Sequence, residues 1–347
     1  MSDHDEHFHD SAYDGLLEDH HAPGDDSQWA FGTDFEDPLA GVDTTVPEGV
    51  DHEALAAYCL MLGDDALVYS HRLSEWCSRA PDLDAGELAA HCLQLGDDAL
   101  VMSHRLSEWC SNAPDLEDDI ALANIALDLL GQARLLLARA AAADPSVVPA
   151  LPEGSPVPAE DALAFFRGDS AFRNVRLVEP DNGDFAVTIV RLLLFSTWRL
   201  ALLQRLVASR DQVLSAIAAK GVKEVTYHRD YAGRWFLTLA QGTEESRRRL
   251  EAALAVVWPM HDELFRSHPV EQSVAAQRVG VDPATVADEV AVLLEQVFSV
   301  SGVERPDVKQ VGPVNRGTGR DGRHTEAFGK LLAEMQVVAR AHPRGQW

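Results

Sequence analysis

Apolar residues recur at three- and four-residue spacings from about residue 88 to the C-terminus. This period predicts helices over about 88–111, 116–141, 159–167, 184–208, 211–239, 243–267, 284–300 and 324–341. Punctuation supports the boundaries. Ala113-Pro114-Asp115 closes the first helix and offers Asp115 as N-cap of the second, Asp184 and Thr243 open two more, and Gln241-Gly242 ends another. A Pro-rich stretch (DPSVVPALPEGSPVPAE) follows the second helix, and a Gly/Arg-rich loop (VNRGTGRDGRH) precedes the last. Residues 174–182 show no helical period. The pattern is all-α. Four long helices, with one long connection among them, fit a ferritin-like four-helix bundle carrying additional C-terminal helices.

The most apolar stretches, 120–143 and 185–208, are interrupted by Asp128, Arg134, Arg191, Arg199 and Arg205. They are expected to be core helices and not membrane spans. The N-terminus is acidic and has no apolar leader segment, so the expected location is cytoplasmic.

Charge changes the picture at one end. The chain has 347 residues, 56 acids against 29 Lys and Arg, and a formal charge of −27. Residues 1–52 hold 15 of the acids and no Lys or Arg. Such a composition buries too little apolar surface to offset chain entropy, so this segment is expected to be a disordered acidic tail. The acidity disfavours nucleic acid and anionic membranes as partners.

The chain also repeats itself. Residues 55–83 (LAAYCLMLGDDALVYSHRLSEWCSRAPDL) recur at 88–116 (LAAHCLQLGDDALVMSHRLSEWCSNAPDL), with 25 of 29 positions identical. Two copies are too few for a solenoid. Only the second copy runs directly into the next helix, so it is expected to fill the first helix slot of the bundle. The expected organisation is a tail over 1–52, a duplicated extra helix segment over 53–87, and a helical domain over 88–347. Cys59, Cys77, Cys92 and Cys110 fall two per copy without any C-x-x-C, which favours free thiols.

A ferritin-like oxygenase holds two irons with carboxylates and two Glu-x-x-His pairs, whose spacing puts both side chains on one helix face. Only Glu6/His9, Glu18/His21 and Asp321/His324 place an acid three residues before a histidine, and none lies in a central helix. His228 has Val225 at that position and Glu224 one residue further back. Its apolar stripe favours a hydrogen-bonded core histidine. Asn124, Asp128 and Gln132 form a polar line in an apolar helix and need buried partners, for which Arg191 and Arg199 are candidates. His104 and Glu108 are spaced as a structural i, i+4 pair. Trp109, Trp198 and Trp235 are candidate anchors for core or interface. Arg316, Arg320 and Arg323 are expected in a solvated loop, with a ligand phosphate or an acidic partner surface as the functional alternative.

The stretches LGDDALVMSHRLSEWCSNAPDLEDDIALANIALDLLGQAR, AIAAKGVKEVTYHRDYAGRW and GRDGRHTEAFGKLLAEMQ together resemble the C-subunit family of the bacterial ring-epoxidising phenylacetyl-CoA oxygenases. The likeness runs from about residue 88 to Trp347. It implies a ferritin-like fold and a non-catalytic structural subunit of a 1,2-phenylacetyl-CoA epoxidase. The implied partners are the catalytic A subunit, which carries the di-iron centre, other subunits, an NADPH-dependent reductase, and phenylacetyl-CoA through the complex. Where the A subunit has Asp-Glu-x-x-His, this chain has Asp128-Leu129-Leu130-Gly131-Gln132. Where the A subunit has Glu-Glu-x-x-His, this chain has Glu224-Val225-Thr226-Tyr227-His228. Leu129, Gln132, Val225 and His228 are thus degenerate di-iron positions, and no metal or cofactor is expected in this chain. Two other readings stay open: a self-sufficient di-iron oxygenase using Asp128, Glu224 and His228, and a helical interaction scaffold.

Overall fold

A computed structural model describes residues 84–313 and 317–345. The tail, the first repeat copy with Cys59 and Cys77, the Glu6/His9 and Glu18/His21 pairs and Arg316 lie outside the described residues. The described residues form nine α-helices joined by turns and short 3-10 segments.

Most helices start where a capping side chain meets the first free amides. In α1 (Ala85–Ser107) the Asp84 carboxylate accepts from the Glu87 amide. The helix therefore begins three residues before the expected 88, inside the stretch assigned to the duplicate. Asp115 caps α2 (Leu116–Ala143) as expected. The short α3 (Ala159–Phe165) interrupts the long connection. Asp184 caps α4 (Phe185–Leu206) and Asp211 caps α5 (Gln212–Gln241). Thr243 and Ser246 form a capping box at α6 (Glu244–Val257). The apolar period predicts this helix to 267, but it stops at Val257. Pro259 cannot donate into an α-helical ladder, and the chain continues as a 3-10 segment over Trp258–Phe265. The short α7 (Pro269–Ala276), α8 (Ala287–Ser301) and α9 (Glu326–Ala341) complete the chain. Eight residues starting at a proline leave too little periodic sequence to announce α7.

Two hairpins, α1 with α2 and α4 with α5, make the four-helix core, and α2 packs on α5 between them. Residues 144–184 make the long connection, as in ferritin-like bundles. Helices α2 and α4 are long and apolar enough to cross a membrane by length and composition. In α4, however, 94% of the apolar window is buried inside the protein. A helix apolar on every side belongs in a core. Trp198, at its middle, is fully enclosed.

Candidate functional site

Of the four positions expected to be degenerate, the bundle interior brings three into apolar or hydrogen-bonded packing and leaves the fourth beside a carboxylate. Leu129 on α2 and Val225 on α5 are completely buried among aliphatic neighbours. Gln132, one turn after Leu129, donates from Nε2 to Glu224 Oε2 at 2.8 Å. Its Oε1 accepts from Arg199 Nε at 2.9 Å. The other oxygen of Glu224 is held by the Lys220 ammonium one turn earlier. Arg199 also donates to the Leu95 carbonyl at 3.3 Å. Burial pushes the Arg199 guanidinium down to about 10, which leaves it charged at neutral pH. The buried cation among these side chains is therefore a guanidinium, while the Lys220 ammonium reaches Glu224 from a half-exposed position.

Of the two arginines expected to meet the polar line of α2, Arg199 does so. Arg191 instead donates to the Pro180 carbonyl and the Asn182 side chain. Asp128 turns to His228, whose Nε2 lies 3.0 Å from Oδ2. His228 is buried, while Asp128 is about a third exposed. Near the start of α2, Asp118 accepts from Tyr231 Oη and Trp235 Nε1, each at 2.8 Å. Burial pushes the Asp118 carboxyl up, and these two donors pull it back.

A second polar layer has no counterpart in the sequence expectations. Asp97 and Asp98 are adjacent on α1 and both fully buried. Asp97 pairs with Arg167, which follows α3. Asp98 receives both terminal nitrogens of Arg320, each at 2.9 Å. Arg320 also donates to the carbonyls of Gln94 and Arg173, and its Nε lies 3.2 Å from Glu271 on α7. The expected solvated loop is thus corrected at Arg320, which is 4% exposed and ties the Gly-rich loop into the bundle. Arg323 is exposed. The missed signal is the acid pair in LGDDALV, two charges in an otherwise apolar stretch, which demand buried cations.

Glu271 competes poorly for Arg320, because Asp98 already takes two of its nitrogens. Burial pushes the Glu271 carboxyl up to about 7, against the pull of Arg320. Between the unfolded value of 4.5 and 7, the folded chain keeps a proton that the unfolded chain has lost. This contribution to stability is complete below 4.5 and disappears as pH rises through 7. Glu271→Gln should remove it. From pH 5 to pH 8 the urea-derived stability of the wild type should fall by roughly 2–3 kcal/mol more than that of the variant. Parallel curves would rule the assignment out.

Other expected pairs resolve differently. His104 and Glu108 do not pair. Arg105 at 2.7 Å and Asn182 at 2.9 Å occupy the Glu108 carboxylate, while burial pushes His104 down to about 4. Asp321 and His324 also separate. Asp321 accepts from Thr318 in its own turn, and His324 Nδ1 meets Glu179 at 2.7 Å. Trp198 is core, and Trp109 and Trp235 both stack edge-on against Phe185, at 5.7 Å and 4.9 Å. Cys92 is a buried free thiol and Cys110 an exposed one. Among the described residues no group of three or more His, Cys, Asp or Glu is arranged to hold a metal ion.

Residues 84–347, and separately residues 41–86, match the family described as phenylacetic acid catabolic protein. The chain belongs to this family. A relative from Escherichia coli (strain K12), the C subunit of 1,2-phenylacetyl-CoA epoxidase, is 41% identical over 293 residues, covering 84% of this chain and 99% of the relative. The family expected from the α1–α2, α5 and α9 motifs is the family found. The likeness, expected to begin near residue 88, begins near 41: the match is doubled at the start of the chain, once across each repeat copy.

Proposed function

We propose that this chain is a non-catalytic structural subunit of a multicomponent 1,2-phenylacetyl-CoA epoxidase, supporting a separate subunit that holds the di-iron centre. The observation that carries the reading is the filled interior. Leu129 and Val225 have no lone pair to offer, and the side-chain oxygen of Gln132 is engaged by Arg199. Glu224 is engaged by Gln132 and Lys220, and His228 by Asp128. A di-iron centre needs several hard oxygen donors and two imidazoles free to face it. This interior offers a guanidinium in their midst. The likeness to the C subunit of an epoxidase supports the same reading and makes phenylacetyl-CoA the expected substrate of the assembly.

A supporting subunit needs a surface for its partner. On α2, Leu116, Ile120, Ala123, Leu127 and Leu130 follow one another at four- and three-residue steps, so they share one face. Leu116, Ile120, Leu127 and Leu130 are between 40% and 68% exposed. A stripe of this kind is a helix-packing seam left open in the isolated chain. The test is co-expression with a di-iron A-type subunit of the same family. The two should co-purify, and Leu127→Glu with Leu130→Glu should abolish co-purification while leaving the thermal midpoint within about 2–3 °C. Failure of the unaltered chain to bind any A-type subunit would refute the proposal.

A further inference from the structure

The two repeat copies are close enough in sequence for either to be a first helix, yet α1 is built from the second. Extending the alignment upstream, Asp51 matches the N-cap Asp84, Ala54 matches Glu87, and the copies then differ at Tyr58/His91, Met61/Gln94, Tyr69/Met102 and Arg79/Asn112. Most contacts of α1 do not discriminate. Asp64 and Asp65 match Asp97 and Asp98, so a first copy in the slot would still satisfy Arg167 and Arg320.

The differences that matter lie along one face. Glu87, His91 and Gln94 are four and three residues apart, and all three meet the α7 region. Glu87 accepts from Ser273 and from Gln277 Nε2, the latter at 2.7 Å. Gln94 Nε2 lies 3.2 Å from His268 Nδ1, and His91 Nδ1 lies 3.4 Å from Gln94 Oε1. The His91 ring is packed so tightly that a Cβ on Gly280 would stand 2.7 Å from its Nε2 and 2.3 Å from Val274 Cγ2. A tyrosine in place of His91 has no room. Alanine and methionine in place of Glu87 and Gln94 leave the Ser273, Gln277 and His268 side chains without these partners. Met102 has no exposed surface, so a tyrosine there overpacks the core and buries a hydroxyl.

We infer that Glu87, His91, Gln94 and Met102 are the residues by which the bundle selects the second copy for the α1 slot, with the 268–280 segment as the reader. Within the span of α1 the first copy differs at six positions: His52 and Glu53, which match the exposed Ala85 and Gly86, and Ala54, Tyr58, Met61 and Tyr69, which match the four selecting residues. Restoring all four by Ala54→Glu, Tyr58→His, Met61→Gln and Tyr69→Met should make it a competitor. Entry of the first copy would loop the second out before α2, lengthening that connection several-fold. Loop-closure entropy then keeps roughly a tenfold bias for the second copy.

Thiol alkylation of the full chain reads the outcome, because Cys92 is enclosed in the slot and Cys110 is exposed. In the unaltered chain, fewer than about one molecule in a hundred should be labelled at Cys92 in the time that labels Cys110 fully. In the four-residue revertant, at least about one in ten should be, with the urea midpoint unchanged, as expected from the residual tenfold bias. None of the four changes touches the sequence of α1, so its own packing stays intact. Cys92 protection equal to that of the unaltered chain would overturn the inference. So would Cys92 labelling that appears only together with a lowered urea midpoint.

Discussion

Arg320→Met is expected to cost about 3–5 kcal/mol of folding stability, the range for removing one member of a buried ion pair. The variant leaves Asp98, which has no exposed surface, with only the Val175 amide as hydrogen-bond donor. It also frees the carbonyls of Gln94 and Arg173 and removes the cation beside Glu271. Burial already pushes the Asp98 carboxyl up, with Arg320 opposing it, so the orphaned group should protonate instead of remaining charged. Asp98→Asn added to Arg320→Met should therefore recover at least about 1–2 kcal/mol of the loss at neutral pH, since an amide is buried neutral without the cost of protonating a carboxylate. Urea titration of the wild type, both single variants and the double variant measures the coupling. A loss under about 1 kcal/mol for Arg320→Met would show that this arginine is a surface residue, as its loop sequence alone suggests.

The second large effect concerns the degenerate positions. A chain carrying Leu129→Glu, Gln132→His and Val225→Glu regains the residue types of a di-iron helix pair. It should nevertheless lose at least about 4 kcal/mol, because two carboxylates enter a closed aliphatic core. It should also bind no iron, because Arg199 still points its charge into the same space and donates towards position 132. Adding Arg199→Leu removes that cation and is the variant in which iron uptake becomes physically admissible. Iron in the triple variant without this fourth change would mean that Arg199 does not stand in for the metal.

Helices and their starts are legible in the sequence because both depend on near neighbours. Asp115, Asp184 and Thr243 cap the helices that their positions predict. That Leu129 and Gln132, and Val225 and His228, lie one helix turn apart is legible for the same reason; their reading as degenerate di-iron positions comes from the family resemblance. What is not legible depends on residues far apart in the chain. Arg320 and Asp98 are 222 residues apart, and nothing local marks the arginine of a Gly-rich loop as a core residue. The pairing of His104 with Glu108 fails through local competition, because Arg105 is a stronger partner for the same carboxylate. The end of α6 is misjudged because Pro259 stops an apolar period that otherwise continues. A repeat that looks like a simple duplication carries its information in the few positions that differ.

The interior holds a buried guanidinium, Arg199, beside the positions that the proposed function reads as a lost iron site. The most direct measurement is the iron content of this chain purified alone, after loading with ferrous iron under anaerobic conditions and desalting. It is compared with the content of the same chain co-purified with a di-iron A-type subunit. Far less than one iron per chain is predicted for the isolated protein, with all the iron of the complex assigned to the partner. Two irons per chain in the isolated protein, lost on replacing His228 or Glu224, would contradict a guanidinium-filled, non-catalytic interior.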